Sequence, residues 1–257
     1  MNRRVPLVVG LAAIVLATAF GLSRLAPPQQ GVVGASAPLP SPTTPAPSAA
    51  PASALGPLAA GTYMSVSFQP ALQFTVPAGW EKEADDLFGL GLHGPDGGPT
   101  GVYCPDPGPN WGESCRHHDN LIAVAADRAL GFDARDCEGL AKAGSPGSVD
   151  GMVAALQADA RFDVNVRGPV TVGGLHGQRL FVSLVKSWTG TCKWSDGKPS
   201  ALFLTAAHPP GPFVGLGLWE ELDVTLLDSP SGILSILIDS SYRGSALGVV
   251  NTFIFER

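Results

Sequence analysis

The chain is poor in charge. Only 15% of its 257 residues are Asp, Glu, Lys or Arg, against roughly 25% in an ordinary soluble domain. Basic residues are the scarcer kind, 16 against 22 acidic, and they form no cluster along the chain. A nucleic-acid binder needs a basic stripe or patch, so that function is excluded. No phosphate loop, dinucleotide fingerprint, kinase signature, H-E-x-x-H pair or G-x-S-x-G elbow occurs, which removes the enzyme classes that carry their chemistry in a linear motif. Acidic residues are missing altogether before Ala59, and no cysteine follows the first apolar run until Cys104. The second absence excludes a bacterial lipoprotein anchor.

What the N-terminal part does contain is ordered by type. Met1 to Arg4 carries Arg3 and Arg4, and Val5 to Leu22 follows as 18 residues without a charge. A membrane-crossing helix needs about 20 apolar residues, with a range of roughly 17–25. The apolar part of a cleaved signal peptide usually has roughly 7–15. The run therefore predicts one transmembrane signal anchor over 5–22 that uses the lipid bilayer as its partner. Residues 1–4 are then a cytoplasmic stub and the rest is extracytoplasmic, by the positive-inside bias. Secretion after cleavage is the alternative, because Ala17-Thr18-Ala19 and Ala35-Ser36-Ala37 read as small-x-small sites. Residues 23–58 are rich in Pro, Ala, Ser and Thr, too little apolar surface to offset the entropy of ordering, and predict a disordered stalk.

The remainder, 59–257, is expected to be one extracytoplasmic domain. Setting aside Arg3, Arg4 and Arg24, it carries 13 basic and 22 acidic residues, a net charge of −9. All four cysteines, Cys104, Cys115, Cys137 and Cys192, lie in it. An even count in an oxidising compartment reads as two disulfides, with three pairings open. Cys104–Cys115 is favoured because the Gly/Pro-rich segment from Pro95 to Ser114 needs a staple, which leaves Cys137–Cys192.

Period and punctuation point to an α+β fold with a mainly antiparallel sheet and helices packed on it. Met64, Val66 and Phe68 alternate, then Leu72, Phe74 and Val76, before the turn Pro77-Ala78-Gly79. Val170 and Val172 turn through Gly173-Gly174 into Leu180, Val182 and Leu184, a hairpin signature. A second hairpin joins Leu222–Leu226 to Ile233–Ile238, and Leu202–Thr205 and Phe213–Trp219 read as further strands. Ser148 is an N-cap for a helix over 148–160, where Val149, Met152, Val153 and Leu156 share one face. A weaker helix is expected between Ser241 and Asn251.

Phe74-Thr75-Val76-Pro77-Ala78-Gly79-Trp80 resembles the opening strand and turn of PsbP-like domains, which read aromatic-x-apolar-Pro-x-Gly-Trp. That resemblance covers about half the domain in pattern and implies an α/β/α sandwich. The 148–160 helix would precede its hairpins and a helix would close the chain. It also implies an accessory or binding role more than an enzymatic one. The segment from His93 to Asp119 has no counterpart in that family.

Candidate chemistry is sparse, and no cofactor is implied. Cys104, Cys115, His117 and His118 suit zinc by ligand type but not by spacing, and exported thiols oxidise. His117-His118-Asp119 is the best place for acid–base work, and gives the alternative of an exported hydrolase. Asp133, Asp136 and Glu138, and Glu220, Glu221 and Asp223, match no calcium loop and read as solvated faces. Trp188 and Trp194 flank Cys192, so two tryptophans on a stapled loop form the candidate binding surface, with a core packing role as the alternative. The leading expectation is a membrane-tethered, non-enzymatic domain that binds a protein partner or small ligand at the cell surface. A structural envelope role stands third.

Overall fold

A computed structural model of the chain describes residues 50–51, 54–87, 89–95, 121–131, 137, 141–195, 197–206, 214–217, 220–239 and 243–256. All of them lie in one compact unit, residues 46–257. The apolar run 5–22 is outside the described residues. Among the described residues no helix is long and apolar enough to cross a membrane.

The elements run β1 (Ala50–Pro51), β2 (Gly56–Leu58), β3 (Gly61–Met64), β4 (Leu72–Val76), β5 (Trp80–Asp85), β6 (Gly89–His93), β7 (Leu121–Ala125) and β8 (Arg128–Leu130). Helix α1 (Val149–Gln157) is followed by β9 (Phe162–Val172), β10 (Leu175–Leu184), β11 (Ser200–Ala206), β12 (Val214–Gly217), β13 (Glu221–Ser229) and β14 (Gly232–Asp239). Helix α2 (Arg243–Val250) and β15 (Ile254–Phe255) close the chain. Eight strands form a central sheet in the order β2-β5-β6-β7-β14-β13-β10-β9. A four-stranded sheet, β1-β3-β4-β15, and a three-stranded sheet, β12-β11-β8, accompany it. Among the described residues every ladder except β1–β3 is antiparallel.

Strand β14 shows why the central sheet needs company on both sides. Its run Ile233-Leu234-Ser235-Ile236-Leu237-Ile238 is apolar at both parities, the pattern of a strand buried on both faces. Leu234, Ile236 and Ile238 point into one core with Phe74 and Val76 of the four-stranded sheet. Ile233 and Leu237 point into a second core with Leu130, Phe203 and Leu216 of the three-stranded sheet.

This arrangement corrects the expected fold class. The α+β sandwich of a sheet layered by helices, and with it the PsbP-like α/β/α architecture, is not formed. Strand accounts for 56% of the described residues and helix for 12%, in two short helices. The apolar faces of the central sheet share their cores mainly with other strands, and each core takes one short helix instead of a helical layer. The individual helices do form. Ser148 caps α1 by accepting the Gly151 N–H at 3.3 Å, and Asp228 Oδ1 accepts the Val149 N–H at 3.1 Å. Leu156 and Met152 are fully buried in the second core.

Two local readings also change. Strands begin inside the segment read as a stalk, since Pro57 of β2 already pairs with Glu81. The alternation expected through Val66 and Phe68 stops at Met64, and 65–70 forms a loop instead. Asp85 clasps it: the carboxylate accepts the backbone N–H groups of Val66, Ser67 and Phe68 at 2.9, 3.0 and 3.1 Å and the Lys82 ammonium at 3.0 Å. Phe68 is thereby held in the first core while Val66 stays exposed. The two glycines of the β9–β10 turn do what the sequence asks of them. Gly173 and Gly174 both have positive φ, +57° and +84°, as a two-residue hairpin turn of the right twist requires.

Candidate functional site

The three last strands of the central sheet, β13, β10 and β9, carry polar residues on the side opposite the second core. Leu180, Val182 and Leu184 of β10 and Val224 and Leu226 of β13 fill that core. Period-2 geometry therefore sends Arg179, Phe181 and Ser183, and Glu221 and Asp223, the other way. The register places Phe181 directly between Asp223 of β13 and Asn165 of β9. Helix α2 then begins beside this face with Arg243.

The result is a cluster of guanidinium groups around one aromatic ring. Arg179 grips Asp223 with two hydrogen bonds, from Nε at 2.9 Å and from Nη2. Arg243 lies on the same carboxylate, Nε to Oδ2 at 3.0 Å, and donates from Nη2 to Glu221 at 3.1 Å. The Cζ of Arg243 stands 3.9 Å from the centre of the Phe181 ring, that of Arg167 4.9 Å and that of Arg179 5.8 Å. Arg167 reaches the ring because β9 bulges there. Gly168 pairs with Arg179 and Val166 with Leu180, so Arg167 has no opposite residue. A bulge of this kind re-aims a side chain.

Asp223 is the keystone, with a side chain only 1% exposed. Its place in the run Glu220, Glu221 and Asp223 predicts a solvated acidic face; in the structure two arginines cover it instead. Its hydrogen bonds raise the pKa of Arg179 above the ordinary arginine value, against the opposing effect of burial. Three guanidinium groups meet the carboxylates of Asp223 and Glu221 here, on a face that Asp163 shares, within a domain whose net charge is −9. Each guanidinium has five donors, and Asp223 and Glu221 accept hydrogen bonds from only two nitrogens of Arg179 and one of Arg243, whose buried Nε lies 3.0 Å from Asp223 Oδ2 as an ion pair without a hydrogen bond. Such a set can take a carboxylate, phosphate or sulfate through paired N–H donors, with the ring holding the planes in place.

The residues singled out in the sequence lie elsewhere. Cys137 and Cys192 form a disulfide across 55 residues of sequence, with Cα atoms 5.4 Å apart. Together with Leu202 they make a small third core. Cys104, Cys115, His117, His118 and Asp119 are outside the described residues, as are Asp133, Asp136 and Glu138. Trp188 is half-buried against the second core and donates its indole N–H to the Ser200 carbonyl at 2.9 Å. Its ring occupies the space beside Gly190, where a Cβ would meet it at 2.4 Å. Trp194 belongs to a 3-10 turn, Lys193–Ser195, and its side chain is outside the described residues. Among the described residues no group of three His, Cys, Asp or Glu is placed to hold a metal ion.

Arg167, Arg179, Phe181 and Arg243 were not singled out in the sequence. Arg179-x-Phe181 and Glu221-x-Asp223 are visible as alternating pairs, but nothing local says that β10 pairs with β13 across the two intervening strands β11 and β12.

No family model matches the chain, and no curated protein matches it. Among solved structures, the chain is similar to a protein of Bacteroides thetaiotaomicron VPI-5482 with a crystal structure at 1.50 Å, at 8% identity and a TM-score of 0.27. The match covers 72% of this chain and 45% of that one, so the chain spans less than half of its length.

Proposed function

We propose that the protein is an extracytoplasmic, non-enzymatic binding domain, held at a membrane by its N-terminal segment, that takes an anionic ligand on the Phe181 face. The ligand chemistry is a carboxylate or phosphate group, on a small molecule or on a protein partner. The observation that carries this reading is the gathering of Arg167, Arg179 and Arg243 about one ring, with Asp223 holding two of them in place. The stapled pair Cys137–Cys192 supports an oxidising compartment.

Citrate and inorganic phosphate are suitable probes. The full chain in mild detergent, heated with either anion at about ten times its dissociation constant, is stabilised by roughly 1.4 kcal/mol. The melting temperature rises by about 3–6 °C in a protein of this size. Arg243→Gln abolishes that rise. An equal rise in wild type and Arg243→Gln, or none with either anion, overturns the site.

A further inference from the structure

Strand β9 is the open end of the central sheet. It is the last strand in the order and pairs, among the described residues, with β10 alone. At 11 residues it is also the longest strand described. An edge of that length offers a row of backbone N–H and C=O groups to a further strand unless something blunts it. Its second half is blunted by the bulge at Arg167, the positive φ of Gly168 at +116° and Pro169. Its first half, up to the bulge at Arg167, is regular and carries Val166 with 37% of its surface exposed.

We infer that this half-strand pairs with the same half-strand of a second copy of the chain, antiparallel and centred on Asn165. The charges select that partner and that register. In a two-fold antiparallel pair centred on Asn165, Asp163 lies opposite Arg167 of the other copy, and Arg167 opposite its Asp163. Opposite charges in directly facing positions favour the pairing. Centring on Asp163 or on Arg167 would instead set like charges face to face. The same register puts Val164 against Val166 of the other copy, so the exposed valine gains an apolar neighbour on the side of the second core. Asp163, Asn165 and Arg167 share the other side, the one that carries Phe181. The contact is isologous and closes after two copies, joining two eight-stranded sheets into one. It stands on the strand edge, and Arg167 is the one residue it shares with the arginine cluster on the Phe181 face.

Cysteine substitution tests both the partner and the register. In full-length protein, Asn165→Cys places two thiols about 5 Å apart across the axis, and mild oxidation should yield a covalent dimer on a non-reducing gel. Asp163→Cys places its two thiols about 14 Å apart, four residues along the strand direction, and should yield none. Without cysteine substitution, Asp163→Arg should reduce the dimer fraction in light scattering at least several-fold, and adding Arg167→Asp should restore it. A monomeric wild type, or equal cross-linking at 163 and 165, overturns the inference. So does cross-linking of Asn165→Cys to a different protein, which would make β9 the edge for another strand.

Discussion

Asp85 and Asp223 show how a single carboxylate can organise a region. Three backbone N–H groups and Lys82 converge on Asp85, whose side chain is 3% exposed. Burial pushes its pKa up, but those hydrogen bonds outweigh burial and hold it below the ordinary aspartate value. Asp159, bonded to Arg161, is depressed for the same balance of reasons. A depressed carboxylate stabilises the fold above its unfolded pKa of about 3.9, and that contribution is lost as pH falls through the folded value. The melting temperature should therefore be level near pH 6 and fall below about pH 4, and Asp85→Asn should flatten that fall in a calorimetric pH series. Asp85→Ala removes the acceptor for three loop amides and a buried ammonium together. It should cost about 3 kcal/mol in denaturant unfolding; a loss under about 0.5 kcal/mol would show that the loop holds itself. Asp223→Ala leaves Arg179 and Arg243 facing each other without their shared carboxylate. Both arginines are roughly 30% exposed, so water offsets part of the loss and about 2 kcal/mol is expected.

At the scale of elements, the helix α1 and the disulfide make opposite demands on the chain. Leu156 is buried completely in the second core, and Leu156→Asp would put an unpaired charge there. Loss of the cooperative unfolding transition is expected, and an unchanged melting temperature would mean that α1 contributes nothing to that core. The Cys137–Cys192 bond acts on the unfolded chain by closing a long loop. Reduction, or Cys192→Ser, should lower stability by about 2–4 kcal/mol without altering the strand content seen by circular dichroism. Elements with strong local signals were legible in the sequence. The Gly173-Gly174 turn with its alternating flanks, the β13–β14 hairpin and the Ser148-capped helix all formed close to their expected limits. The strands that were missed lacked those signals. Trp80-Glu81-Lys82-Glu83-Ala84-Asp85 puts Lys82 at an inward position, where its partner Asp85 makes burial tolerable. Gly89-Leu90-Gly91-Leu92-His93 alternates glycine with leucine, a weak strand former with a strong one.

For the whole molecule, the layering was the part that local pattern could not reveal. Two-sided burial of Ile233–Ile238 signals a central strand, yet whether helices or other sheets cover it depends on pairings remote in sequence. Phe74 to Trp80 shows the difficulty. The motif reads as a turn, and the turn is there, but it carries the chain from the four-stranded sheet into the central one instead of closing a hairpin. The arginine cluster was hidden for the same reason, because β10 meets β13, and α2 meets both, only in the assembled fold. Export is the other molecular claim. Protease treatment of intact cells should remove the domain from residue 59 onward, and protection until lysis would place it on the other side of the membrane. The most direct measurement of the central claim follows the arginine Nε–Hε signals of the full chain by nuclear magnetic resonance as citrate is added. The account predicts that the signals of Arg167, Arg179 and Arg243 shift together and saturate, while that of Arg161, which is bound to Asp159 in another part of the domain, stays still. Uniform small shifts of all four, or shifts only outside the Phe181 face, would contradict it.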